Sequence, residues 1–325
     1  MALITSIRTG RSRLWRTDQL LTASALLMVG TLAMFLVGLA FDPRIVTGAP
    51  VWLKPAKFAA STAIYMFTLA WVFTYLGEWP RVRRFVGRAT AFILVAEVAV
   101  IALQAWRGTT SHFNFSTPLD AALFSFMGSA IVIQTFLSML VAVALWRQPF
   151  HDRALGWALR LGMIITIAGA STGGLMTRPT EAQLAQVIAT RQIPIIGAHT
   201  VGAPDGGPGL PGTGWSVEHG DLRVPHFFGL HALQLLPALA WLLWRRRVED
   251  SQRARLVVVA GGSYVGLFLI LVSQALRGQA LVSPDALTLV VIAVWATVTG
   301  AVAAWLFRGR SAGPQSDVTL NWINP

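Results

Sequence analysis

Histidine, lysine and one deeply placed carboxylate are the residues here whose types and spacing could do chemistry. Five of the six histidines, His112, His199, His219, His226 and His231, fall in or beside segments expected on one side of a membrane. Asp120, Asp205, Glu218 and Asp221 accompany them. Histidine with carboxylate suits zinc, iron or copper, and histidine alone suits haem. His112, His199, His226 and His231 are the candidate metal ligands. His226, His231 and Gln234 are the candidate cofactor-binding set. On an ideal helix His226 and His231, five positions apart, point about 140° away from each other, so they do not chelate one ion from a regular helix. No His-x-x-x-His zincin pair is present. The cofactor stays open, with haem or a transition metal as the classes these side chains admit.

Lys54, Lys57, Ser61 and Tyr65 recur at spacings that put them on one helical stripe. They include the two lysines of a chain with 26 basic residues. A compact ammonium at two positions one turn apart suits an anion, a proton relay or a buried carboxylate. Glu97, Gln104 and Arg107 share a sector of the next apolar segment. A lone carboxylate near the bilayer middle is either protonated or paired with a cation, here expected to be Lys57 or Arg107. Glu97, Lys57 and Arg107 are therefore the candidate catalytic groups.

Other chemistries are excluded. The chain has no cysteine, which removes disulfides, thiol nucleophiles, thiolate metal sites and iron–sulfur clusters. Gly169-Ala170-Ser171-Thr172-Gly173 loosely resembles a nucleophile elbow but lies inside an apolar run. It reads better as small residues that let helices approach closely. Without a Gly-rich phosphate loop or aromatic–basic interleaving, the net charge of +12 does not point to nucleic acid.

The elements that position these groups are membrane spans. The chain is 54% hydrophobic and 12% charged over 325 residues, too little polar surface for a soluble domain of this length. A helix needs about 20 apolar residues to cross the hydrocarbon. Spans are expected near 21–41, 57–77, 89–106, 120–146, 155–176, 226–244, 256–276 and 286–307, an all-α polytopic fold of eight transmembrane helices. Arginines crowd alternate gaps: Arg8, Arg11, Arg13 and Arg16; Arg81, Arg83, Arg84 and Arg88; Arg147 and Arg153; Arg245, Arg246, Arg247, Arg253 and Arg255; Arg308 and Arg310. Eight spans place all of these on the cytoplasmic side, with both termini, in a bacterial cytoplasmic membrane. Tryptophans near the span ends form the aromatic belt.

The two halves resemble each other. Gln104-Ala105-Trp106-Arg107-Gly108 returns as Gln274-Ala275-Leu276-Arg277-Gly278, and Leu69-Ala70-Trp71 as Leu239-Ala240-Trp241, both 170 positions later. Four spans per copy give both copies the same orientation, a parallel repeat of two four-helix halves. The expected division is an arm at 1–20, halves at 21–146 and 147–307, and a tail at 308–325. The second half carries an insertion at 177–225, with a short surface helix from Glu181 to about Arg191. A Gly- and Pro-rich loop of that length is expected to fold over the bundle mouth.

These features point to an outward-facing polar pocket in a membrane protein. The expected function is a metal- or haem-dependent membrane enzyme, or a cofactor-binding redox protein, acting on a lipid-soluble substrate at the outer face. A proton-coupled secondary transporter and an assembly or scaffold subunit are the alternatives. The bilayer is the expected partner, nucleic acid is not, and oligomerisation is open.

Overall fold

The computed structural model describes residues 13–192 and 194–308. Arg8, Arg11, Arg310 and the remaining tail, on which part of the orientation argument rests, lie outside the described residues. Among the described residues seven helices are long and apolar enough to cross a membrane, or eight if one bent pair is counted as a single span. This is the multi-pass helical protein the hydropathy pattern requires. The described β-structure comprises two small antiparallel pairs, Ile45–Val46 with Ala49–Pro50 and Thr200–Val201 with Gly220–Asp221.

The chain separates into two compact units. The first contains α1 (Gln19–Phe41), α2 (Leu53–Phe73), α3 (Pro80–Trp106) and α4 (Pro118–Arg147) as far as Leu140. Asp18 caps α1 by accepting from the Leu21 amide at 3.0 Å, and Pro80 opens α3, where its missing N–H costs nothing. In lipid the apolar effect gives little preference for helix–helix contact, so close packing and polar ties must hold a bundle together. Both are present here. The Trp52 ring lies where a Gly38 Cβ would project, and stacks on Phe35 at 5.7 Å. Tyr65 ties α2 to α4 through Ser138 at 3.1 Å and Gln134 at 3.4 Å. Leu21, Met28, Met66, Leu69, Phe73, Ile101 and Met127 are fully buried.

Residues 174–199 and 204–214, most of the insertion, also belong to this first unit rather than to the second. They include the end of α6 (Gly173–Met176) and all of α7 (Glu181–Thr190). Thr180 and Gln183 form a reciprocal capping box at the start of α7, and Arg191 closes it in the left-handed conformation. The stretch after α7 is stitched to the 113–115 backbone by Phe115 N–H to Pro194 O at 2.8 Å and Ile196 N–H to Phe113 O at 2.9 Å.

The second unit contains α5 (Arg153–Ser171), α8 (Arg223–Leu230), α9 (Ala232–Arg245), α10 (Asp250–Leu276) and α11 (Ala286–Arg308). Its core is built from small residues, Ala154, Ala158, Ala232, Ala240 and Ala254, around Ile165, Leu236 and Val257. Small residues let backbones touch. A Cβ on Gly169 would sit 2.6 Å from the Gly229 backbone. Arg253 is buried and bridges Asp250 at 2.7 Å and Asp152 at 3.3 Å.

The sixth span departs from expectation. It is not one helix over 226–244 but two, α8 and α9, meeting at His231 with a 45° bend. Hydroxyls take up carbonyls at the break: Tyr264 Oη–H donates to Phe228 O at 2.5 Å, and Thr166 to Leu230 O at 3.3 Å. Pro237, inside α9, removes one more amide. Irregular backbone at membrane depth is tolerated only with such replacement partners.

The turns after α3 and α10 are built alike. Gly108 and Gly278 sit at φ 72° and 74°, the left-handed C′ geometry that favours glycine. Gln104 Nε2–H donates to Thr110 O at 3.4 Å, and Gln274 Nε2–H to Ala280 O at 2.8 Å. Arg107 then pairs with Asp120 and Arg277 with Asp285.

Candidate functional site: a buried carboxyl facing a loop histidine

Glu97 lies in the third turn before the end of α3 and is only 3% exposed. The chain leaves α3 through Gly108 and turns back on itself. Asn114 braces this turn with its amide on Thr109 Oγ1 at 3.0 Å and on Thr110 O at 3.1 Å. Phe113 adopts φ 63°, unusual for a residue with a large side chain. The folded-back loop sets His112 against the helix, with Nε2 3.8 Å from Glu97 Oε1. That separation exceeds a hydrogen bond and closes with a shift of under about 1 Å. Glu97 Oε2 has no hydrogen-bond partner among the described residues.

His112 is held by its neighbours. Ser111 Oγ shares a 3.1 Å hydrogen bond with Nδ1. The imidazole is surrounded by Phe58 at 5.7 Å, Phe113 at 6.1 Å and Phe124 at 6.2 Å between ring centroids. Lys54 stands 5.9 Å over the Phe58 ring, on the wall of the same group. Glu97, His112 and Lys54 are thus an acid, a base and a cation beside an aromatic wall.

The other candidates of the first unit are placed as follows. Lys57 Nζ donates to the Thr213 carbonyl at 2.8 Å, joining α2 to the Gly- and Pro-rich loop. His199 Nδ1 and Asp205 Oδ2 are 2.6 Å apart, and both oxygens of Asp205 also accept from the His199 amide. The Phe113 ring lies edge-on to His199 at 4.9 Å. Arg107 donates to Asp120 at 2.5 Å and to Gln104. The structure sets His112 against Glu97; of the two cations expected from helical spacing, Lys57 reaches the Thr213 carbonyl and Arg107 the Asp120 carboxylate.

Two expected outcomes follow from these contacts. Lys57→Met removes a charged donor from the Thr213 carbonyl, an interaction of about 1.5–3 kcal/mol. Cleavage of the native protein within 204–214 by a nonspecific protease is expected to rise by about tenfold or more, since cleavage tracks the open fraction. Arg107→Ala leaves the buried Asp120 without its cation and is expected to lower stability in detergent unfolding by about 1–3 kcal/mol. The matching Arg277→Ala breaks a pair whose acid is exposed together with a bond to the buried Thr288 hydroxyl, and a smaller loss of about 0.5–1 kcal/mol is expected.

The candidates of the second unit are distinct. His226 Nδ1 lies 2.9 Å from Gly169 O, and a carbonyl only accepts, so Nδ1 donates to it. Ligating histidines are oriented in this way. His231 occupies the junction of α8 and α9, and its amide bonds to Phe227 O and Phe228 O at 3.2 Å. The Gln234 amide bonds to His231 O at 3.1 Å.

Among the described residues no three His, Asp or Glu side chains come together as a metal set. Of the ligand group expected from the sequence, His112 and His199 belong to the first unit and His226 and His231 to the second.

Helical spacing missed two Asp-x-Arg brackets. Arg44 returns its amide and guanidinium to Asp42, and Arg223 does the same to Asp221. Arg44 also reaches the Trp106 carbonyl at 2.9 Å, and Asp42 accepts from the Trp52 indole at 2.8 Å. The Arg44 guanidinium, then the Trp52 indole, hold the Asp42 carboxyl well below the usual carboxylate range. The readable signal was an acid two residues before an arginine, at the mouth of a helix.

Comparison with protein families, with curated proteins and with solved structures found no match.

Proposed function

We propose that the chain is a membrane-embedded enzyme that moves a proton to or from a lipid-soluble substrate, at the outer end of its first helical unit. The observation that carries this reading is the Glu97–His112 pair. It combines a nearly inaccessible carboxyl, one of whose oxygens has no hydrogen-bond partner among the described residues, with an imidazole 3.8 Å away. Ionisable groups within membrane spans are costly and are kept mainly where they work. Acid–base pairs in ligand-free proteins are often slightly too far apart and tighten when substrate arrives. The wall formed by Phe58, Phe113 and Phe124 suits a flat apolar ligand. Lys54 would steady negative charge, and Lys57 would hold the 204–214 loop over the site.

This places the site on the outer side of a bacterial cytoplasmic membrane, with both termini inside. The arginine-rich gaps support that orientation. The matching turns after α3 and α10 support descent of the two halves from one duplicated unit. His226, whose Nδ1 faces Gly169 O, is the histidine that a haem or transition metal would use in the second unit.

The test is extraction of lipids from protein purified in mild detergent, read by mass spectrometry beside elemental analysis and a visible spectrum. A compound enriched on the wild-type chain and depleted from both Glu97→Gln and His112→Ala supports the reading. Identical extracts from all three would contradict it. Absence of both metal and haem absorption would remove the cofactor version.

A second reading, a proton-coupled transporter, draws on the bend at His231. Discontinuous helices commonly form transport sites. It requires ion-driven flux in reconstituted vesicles that Glu97→Gln uncouples.

A further inference from the structure

α7 carries its polarity inside out. The side chains turned toward the protein are Gln183, which bonds Gly197 through both amide atoms, and the half-buried Val187. The opposite arc holds Leu184, Ala185, Ile188 and Ala189, all exposed, with Leu184 at 49% and Ile188 at 82%, and the exposed Glu181 stands at its N-terminal end, where a carboxylate suits the helix start. A surface helix facing water shows the reverse arrangement. No residue of α7 is buried, so this arc supplies no core.

Its position is set at both ends. α7 begins five residues after Met176, at the end of an apolar helical run, and the stretch that follows is hydrogen-bonded to residues 113–115, just before α4 enters at Pro118. The helix is therefore tied to the mouth of a membrane span. Exposed arginines, Arg178 and Arg191, flank it at its two ends. An apolar arc between cations beside a span entrance matches a helix lying in the headgroup boundary, its apolar side chains in the acyl region and its arginines on lipid phosphates.

We propose that α7 is an interfacial helix seated on the outer leaflet, with Leu184 and Ile188 in contact with lipid. The partner is the bilayer itself, chosen over a protein by the flanking charges and by the tether to the start of α4. The inference does not depend on the acid–base reading of Glu97.

The chain lacks cysteine, so a single introduced cysteine carries a unique label. L184C, I188C and Q186C are each spin-labelled in the full-length protein in liposomes containing anionic lipid, and collisions with oxygen and with a neutral nickel chelate are compared. The L184C and I188C labels are expected to favour oxygen by several-fold, and the Q186C label to favour nickel. Equal nickel access at all three positions would show a water-facing helix and overturn the proposal. Protection of L184C and I188C from both reagents would show a protein partner or second copy on this face, and would overturn it equally. An environment-sensitive fluorophore on the same cysteines gives an independent reading: a blue shift on transfer from detergent to bilayer is expected at L184C and I188C, and its absence would refute lipid contact.

Discussion

On the proposed proton-transfer reading, Glu97→Gln is expected to leave the protein folded and to reduce turnover of a lipid-soluble substrate by about 10²–10⁴-fold, the range a positioned acid or base supplies. The substitution is nearly isosteric and keeps hydrogen-bonding capacity while removing the exchangeable proton. A structural role therefore predicts little change, whereas a proton-transfer role predicts a large loss at nearly constant unfolding midpoint. On the same reading, His112→Ala, which removes the proposed proton acceptor, is expected to match that loss within about tenfold, because residues acting as one unit are not additive. His112→Ala also removes ring contacts with Phe58, Phe113 and Phe124. Its effect on stability must therefore be subtracted, and Glu97→Gln is the cleaner experiment.

The second large effect concerns packing. Gly169→Ala puts a methyl group 2.6 Å from the Gly229 backbone, in a crossing where neither helix offers a flexible side chain to yield. Overpacking commonly costs about 1–3 kcal/mol, and backbone-to-backbone contact belongs at or above the upper end. The helices must separate, which also disturbs the Gly169 carbonyl that orients His226. A marked fall in the unfolding midpoint in detergent is expected. Gly262→Ala, on α10 of the same unit, is the control. Its Cβ meets nothing within 4 Å, and alanine gains about 0.5–1 kcal/mol of helix preference, so no loss is expected. Equal effects of the two substitutions would show that the close crossing does not hold this unit together.

Much of the architecture was legible because membrane spans announce themselves by length and apolarity. Helix ends were less legible. α3 starts at Pro80 rather than near 89 because its first turns, with Arg81, Arg83, Arg84 and Arg88, are helical but not apolar. Hydropathy reports only what suits lipid, whereas helical hydrogen bonding continues beyond it. The start of α7 was readable from Pro179-Thr180-Glu181, a local cap. The break at His231 was not, because its partners, Tyr264 and Thr166, come from other helices.

The site divides along the same line. Glu97 stood out by itself, since a carboxyl in an apolar run is conspicuous. Its facing group did not. Helical spacing offered Lys57 and Arg107, which share its depth or sector, but the loop fold decides the pairing. Gly108 and Phe113, both at positive φ, bring His112 back over the helix. Arg107 is occupied by Asp120, thirteen residues further on. Contacts made by a reversing loop leave no periodic trace, and for that reason the Asp42–Arg44 and Asp221–Arg223 brackets escaped as well.

In the proposed function Glu97 exchanges its proton in concert with His112. Infrared difference spectroscopy of the protein in bilayers, stepped in pH, observes this directly. A carboxyl C=O band that changes with pH, is absent in Glu97→Gln and is displaced in His112→Asn is the expected result. A spectrum identical in wild type and Glu97→Gln at every pH would contradict the account.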